Sequence, residues 1–179
     1  MDSDYRLINN QTLFEGKIIN VEQDIIKLPT GQEAMRETVI HNGGSAILPV
    51  DSDGNIFFVR QYRHAAKCKV LEIPAGMLEK GEKAIDCAYR ELEEEIGYKS
   101  RNITHLTSMY PSVGYCSEVI NIYLAENLEK GTQCLDEGEI VDIEKYPVDV
   151  AINMIFSGEI TDAKTIVGLL LYKEILVKR

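Results

Sequence analysis

No C-x-x-C pair occurs in the chain: Cys68, Cys87, Cys116 and Cys134 are scattered singly. This excludes a zinc cluster or a disulfide framework, so the four read as reduced thiols. Basic charge is scarce as well. Nineteen Lys and Arg stand against 29 Asp and Glu, for a formal charge of −10. A nucleic-acid backbone or an anionic membrane is thereby excluded as partner, because both need basic surface. No apolar run approaches the roughly 18 residues that a membrane span requires. The opening, MDSDYRLINN, is polar and acidic where a secretory leader would be basic and then apolar. A cytoplasmic protein is expected. Repeats, low-complexity tracts and long linkers are also missing. What remains is an ordinary globular composition, 45% hydrophobic over 179 residues, enough to bury most apolar surface without staples.

Residues 1–42 read as a small antiparallel strand domain: KIINVEQDIIKL, a turn at PTGQ, then EAMRETVI, closed by HNGG. Its alternation is partial and no helix covers it, so it needs something to pack on, such as a second copy of the chain. Residues 43–179 form the second domain. There SAILPV and IFFVRQYR flank DSDGN, whose Asp53-Gly54 pair predicts a hairpin. KVLEIPAG, a Glu-rich segment and strands near 103–109, 119–124 and 139–145 follow. Two helices close the chain, one opened by Pro147 and ending near Gly158, the other over about 162–176, where Ile166, Leu169 and Leu170 share a face. Strands mixed with helices imply an α/β or α+β layered fold.

The stretch RELEEEIGY, 90–98, sets Glu91, Glu93, Glu94 and Glu95 just ahead of Gly97. At helical spacing Ile85, Ala88, Tyr89, Leu92 and Ile96 gather on one stripe, predicting an amphipathic helix over 85–96 with that stripe inward. Glu91 and Glu95 lie on one flank of it, Glu94 further round, and Glu93 points towards Asp86 and Arg90. Most glutamate-rich helices are solvated charged faces. Here, however, each like-charge pair one turn apart destabilises the helix by roughly 0.2–0.5 kcal/mol. Acidic groups in the last turn also oppose the helix dipole. Arg90 relieves Glu94, and Lys99 and Arg101 lie close behind, whereas Glu91 and Glu95 have no cation one turn away on their flank. A hard divalent cation supplies what is missing, since carboxylate oxygens plus substrate phosphates are the ligands Mg²⁺ prefers.

Residues 76–98, GMLEKGEKAIDCAYRELEEEIGY, match G-x(5)-E-x(7)-R-E-U-x-E-E-x-G-U, U being bulky and apolar. Gly76, Glu82, Arg90, Glu91, Glu94, Glu95 and Gly97 occupy every fixed position and Leu92 an apolar one, while Tyr98 stands where an aliphatic residue is usual. The segment resembles the Nudix box. That resemblance implies an α/β/α sandwich with a mixed sheet, and hydrolysis of a nucleoside diphosphate linked to another group with Mg²⁺ or Mn²⁺. It also implies metal ligation by Glu91, Glu95 and the Ala75 carbonyl, with Arg90, Glu82 and Glu94 bracing or assisting catalysis and Gly76 beside the substrate.

VRQYR, LEIPAG, DEGEI and SGEITDAKTIVGLLLY are similar to segments of the ADP-ribose pyrophosphatase branch, whose members are homodimers that exchange amino-terminal strands. By that likeness Arg36 and Glu37 would contact adenine, or else form a surface ion pair. Arg63 would grip phosphate, or form a plain salt bridge, and Arg60, three residues back, would face the other way. Glu137 is the expected base and Glu139 a further metal ligand, unless LDEGEI is only an acidic turn. Glu118 would lie near the substrate, and Tyr110 and Tyr115 would line a pocket or be buried structurally. Ser112-Val113-Gly114 departs from the branch's serine-proline-glycine, and Tyr115 is similar to a tyrosine of dinucleoside polyphosphate hydrolases. The expected activity is cleavage of ADP-ribose to AMP and ribose 5-phosphate. Other nucleotide sugars, dinucleoside polyphosphates and a non-catalytic ADP-ribose sensor are the alternatives.

Overall fold

The computed structural model describes residues 4–178; Met1 to Ser3, the head of the polar opening stretch, and Arg179 lie outside the described residues. Two compact units are present, Met1–Gly43 with Tyr110–Val119, and Gly44–Met109 with Ile120–Arg179. In the first, β1 (Arg6–Glu15), β2 (Asn20–Lys27) and β3 (Glu33–Ile40) form an antiparallel sheet in that order. The expected turn joins β2 to β3: Gly31 has φ +85° and its N–H donates to Leu28 O at 2.8 Å. Glycine takes up that left-handed conformation without steric penalty. β1 escapes a reading by alternation, because polar and apolar residues fall on both of its faces and all ten are exposed. The 110–119 segment joins this unit by a bridge from Val39 to Cys116.

The second unit contains β4 (Gly44–Pro49), β5 (Asn55–Arg63), β6 (Cys68–Glu72), β7 (Ala75–Met77), α1 (Ala84–Ile96), β8 (Tyr98–Lys99), β9 (Asn102–Met109), β10 (Ile120–Glu126), β11 (Glu129–Lys130), β12 (Val141–Pro147), α2 (Val148–Ser157) and α3 (Ala163–Lys178). One sheet runs β7-β4-β10-β9, with β4 and β10 parallel; another runs β12-β5-β6, and β11-β8 is a short ribbon. Alternation along the strands divides the core. Ala46, Leu48, Ile56, Phe58, Ile122 and Leu124 pack towards α2 and α3, while Ile47, Phe57, Val59, Tyr123 and Ala125 pack towards α1. The result is a layered α/β/α sandwich.

Three local expectations need correction. β4 and β5 are not a hairpin. The turn between them forms, with Asp51 Oδ1 accepting from the N–H groups of Asp53 and Asn55 at 2.9 and 2.8 Å. A single bridge, Val50 to Ile56, then gives way to two separate sheets. Each strand is apolar on both faces, so each sits inside a sheet with two partners. Tyr89 lies outside the buried stripe of α1, at 39% exposure, and Glu91 and Glu95 lie inside it. On α3, Leu170 faces outward, and Thr165, Gly168, Leu169 and Tyr172 form the buried face. Gly168 is small enough there to admit Ile73, Ile122 and Leu48. All four cysteines are free. No helix among the described residues is long and apolar enough to cross a membrane.

Candidate active site

Strand β7 lies along β4, in register from Gly44 opposite Met77 to Ala46 opposite Ala75. The Ser45 hydroxyl donates to Ala84 O at 2.6 Å, fastening the start of α1 to β4. Gly97, at φ 70°, ends the helix by returning its N–H to carbonyls of the last turn. Between these fixed ends α1 presents Cys87, Glu91 and Glu95 as buried residues. This is tolerable only because Gly76 lacks a side chain: a Cβ there would fall 1.7 Å from Glu91 Oε1. Gly76→Ala is therefore expected to displace the Glu91 carboxylate, lowering turnover about a hundredfold while stability falls by only about 1–2 kcal/mol. Paired kinetic assays and urea denaturation check this split.

Glu95 is 2% exposed and Glu91 8%. Neutral donors hold Glu95, the Ala75 N–H at 2.9 Å on Oε2 and the Gln61 amide at 3.2 Å on Oε1. Burial, then the neighbouring Glu91, pushes the Glu95 carboxyl up to about 8. Burial outweighs the attraction of Arg90 and brings Glu91 up to about 7. Two carboxyls one helical turn apart are thus set inside the protein, each pushed towards its neutral form.

Arg90 is the hub of the surrounding cluster. Its Nε and Nη2 donate to the two Glu82 oxygens at 3.0 and 3.1 Å. Its Nη1 donates to Glu91 Oε1 at 2.6 Å and Glu94 Oε2 at 2.9 Å, and Nη2 also reaches Met77 O at 3.3 Å. Arg90 therefore serves Glu91 as well as Glu94, which one-turn spacing alone does not reveal, and its hydrogen bond holds Glu82 below the usual carboxylate range. Glu93 turns away to pair with Lys99 at 2.9 Å.

The donor set fits a hard divalent cation. Two buried carboxylates repel each other, and each is pushed towards its neutral form by an environment that one dication would reverse. Among the described residues no three His, Cys, Asp or Glu side chains are placed to hold a metal ion together. The protein would accordingly supply two buried carboxylates, leaving other positions to a carbonyl, an exposed loop carboxylate, water and substrate oxygens, as Mg²⁺ commonly allows. Glu137 and Glu139 lie exposed on the 135–140 loop, where Gly138 has φ +89° and Glu139 N donates to Asp136 O at 3.0 Å. Of these two, Glu139 is the one whose charge reaches both Glu91 and Glu95.

Arg63, at the end of β5, clamps Glu72 with Nε on Oε1 at 2.7 Å and Nη2 on Oε2 at 2.8 Å. Its charge is also felt at Glu95. Arg60 points elsewhere, to Glu144 and Glu159. Arg36, Glu37 and Glu118 belong to the first unit. Arg36 and Glu37 are exposed neighbours on β3, so their side chains leave opposite faces. Glu118 lies 3.5 Å from His41. Tyr110 and Tyr115 are each 60% exposed, not buried.

Sequence reasoning missed Glu72 and Lys164. Glu72 is 2% exposed, and Lys164 Nζ binds its Oε2 as well as Asp162 Oδ1 at 3.0 Å. Burial alone would raise Glu72, but the Arg63 hydrogen bonds and the Lys164 charge outweigh it and hold the carboxyl below its ordinary range. The available signal was a glutamate between Leu71 and Ile73 in an otherwise apolar strand.

The sequence profile of the NUDIX domain matches residues 41–167. An ADP-ribose pyrophosphatase of Bacillus subtilis (strain 168) is 38% identical over 162 residues, 89% of this chain and 88% of its own. A methanol dehydrogenase activator of Bacillus methanolicus is 37% identical over 165 residues, 91% of this chain and 89% of its own. The crystal structure of an ADP compounds hydrolase has the same fold, with a TM-score of 0.86 at 22% identity over 98% of this chain and 96% of that one.

Proposed function

The chain belongs to the Nudix family, and we propose that it is a Mg²⁺-dependent ADP-ribose pyrophosphatase, cleaving ADP-ribose to AMP and ribose 5-phosphate. The observation that carries this reading is the pair of buried carboxylates, Glu91 and Glu95, arranged for a divalent ion beside an arginine suited to phosphate. The substrate follows the name of the 38% identical Bacillus subtilis relative. When bound, the ion sets positive charge against the diphosphate and acidifies water.

In this reading Glu91, Glu95, the Ala75 carbonyl and Glu139 hold the ion. Glu137 takes a proton from the attacking water onto its carboxylate. Arg90 keeps Glu82 and Glu94 in place around Glu91, and Gly76 leaves the space that the Glu91 carboxylate occupies. Arg63 offers its guanidinium to phosphate oxygens. Arg36, Glu37 and Glu118 serve the nucleotide, and the 1–42 strand domain is exchanged between two copies in a homodimer. The exposed Leu7, Ile8, Leu13 and Phe14 of β1 favour such a partner.

Mixing the protein with ADP-ribose and Mg²⁺ and identifying AMP among the products tests the activity. Absence of AMP overturns it. Cleavage of GDP-mannose or a diadenosine polyphosphate instead moves the substrate within the family and leaves the metal site standing. Metal binding is also expected to release protons near neutral pH, because Glu91 and Glu95 sit at about 7 and about 8 before the ion enters. Affinity for the ion should rise across pH 6–8. Calorimetry in two buffers of different ionisation enthalpy measures the release.

A further inference from the structure

Among the described residues Arg63 hydrogen-bonds to one carboxylate, and that carboxylate is itself held from behind. Glu72 accepts from Arg63 on both oxygens and from Lys164 on Oε2, and Lys164 is tied in turn to Asp162. The side chains of Glu72 and Lys164 are 3% and 10% exposed, whereas that of Arg63 is 42% exposed. The anchor at the far end is rigid as well. Asp162 Oδ2 accepts from Thr165 N at 3.0 Å and Thr165 Oγ1 at 2.6 Å, and the same hydroxyl accepts from Ile73 N at 2.9 Å. The start of α3 is thus fastened to both Glu72 and the residue after it, two positions ahead of Ala75.

Among the described residues, only Nε and Nη2 of Arg63 are engaged. The Nη1 group and the second hydrogen of Nη2 form the outward edge of a planar fork, the geometry that suits a phosphate. We infer that Glu72, backed by Lys164, is a positioning residue that grips the Arg63 guanidinium by one edge and thereby aims the other edge at the diphosphate. A carboxylate gripped only by Arg63 would follow it outward when a phosphate pulled. Lys164 prevents that, because its buried ammonium, itself tied to Asp162, holds Glu72 in place. Fixing the fork before the substrate arrives removes the ordering of a long side chain from the binding step.

This inference rests on the reading of Arg63 as the phosphate-binding arginine, and the test separates the two. Steady-state kinetics with ADP-ribose and Mg²⁺ are compared for the wild type, Glu72→Gln, Arg63→Ala and the double variant, with thermal unfolding of each. Wild-type turnover of ADP-ribose is the control for the activity itself. Arg63→Ala is expected to raise KM about tenfold or more. Glu72→Gln keeps the shape but offers one acceptor where Arg63 needs two, and should raise KM by a similar factor with kcat within about twofold. In the Arg63→Ala background, Glu72→Gln should change KM by less than about twofold, since its route of action is gone. An unchanged KM in folded Glu72→Gln, or its full effect repeated without Arg63, overturns the inference while leaving the Arg63 role intact. An unchanged KM in Arg63→Ala overturns the phosphate role and the inference with it. Where Glu72→Gln yields too little folded protein, Lys164→Met enters the same cycle with the same expectations.

Discussion

Glu95→Gln should lower metal-dependent turnover by roughly a hundredfold to a thousandfold and, in metal-free buffer at pH 8.5, make the protein more stable. Both results come from one property: a carboxyl 2% exposed and pushed up to about 8. Its folded pKa lies above the unfolded value near 4.5. The folded state therefore binds the extra proton, and ionisation of Glu95 erodes stability as pH rises from about 4.5 through about 8. An amide of the same shape has no proton to lose. It can still accept the Ala75 N–H, so the variant escapes that penalty, roughly 4–5 kcal/mol at pH 8.5. Urea denaturation with chelator at pH 5 and 8.5 gives the comparison. The difference should be small at pH 5, large at 8.5, and reduced or reversed by Mg²⁺. A variant no more stable than wild type at pH 8.5 would contradict the assignment of Glu95 as a carboxylate held in reserve for a cation.

Glu72→Ala should have the largest purely structural effect, a loss of about 3–5 kcal/mol at pH 7. Removing the carboxylate leaves Lys164 inside the protein with Asp162 alone and releases Arg63 from its bidentate bond. For a domain of this size the loss corresponds to a fall in Tm of roughly 10 °C. The pH dependence runs opposite to that of Glu95. The Glu72 carboxyl is held below its ordinary 4.5, so its contribution is present above that value and disappears as pH falls through the folded pKa. Wild type and variant should converge in acid once the pH has fallen below the folded pKa of Glu72. Denaturation curves that stay separated by the full amount there would show that lost packing, and not the lost charge, is responsible.

What could be read in advance follows how far apart in the chain the determinants lie. Helix α1 and its stop at Gly97 were legible, because periodicity and C-cap chemistry act within a few residues. The asymmetric spacing of Glu91, Glu94 and Glu95 behind Arg90 was legible for the same reason. The direction of the helix face was not, since hydrophobicity ranks Tyr89 above any glutamate. A carboxylate turns inward only where Gly76, on a different element, leaves room for it. The Asp51 turn was likewise correct in its local chemistry, yet it could not show that β4 would run parallel to β10 while β5 paired with β12. Glu72 and Lys164, 92 residues apart, make sense only together. One residue of the pair looks like an interruption in an apolar strand and the other like an ordinary surface lysine in a helix.

Arg90 addresses five oxygens, on Glu82, Glu91, Glu94 and Met77, with its planar group. Lysine at this position would bring three hydrogens on one tetrahedral nitrogen to those five acceptors. The most familiar conservative exchange in protein evolution is therefore closed here by counting alone. Any homologous chain that has made it must also have given up some of the oxygens around it.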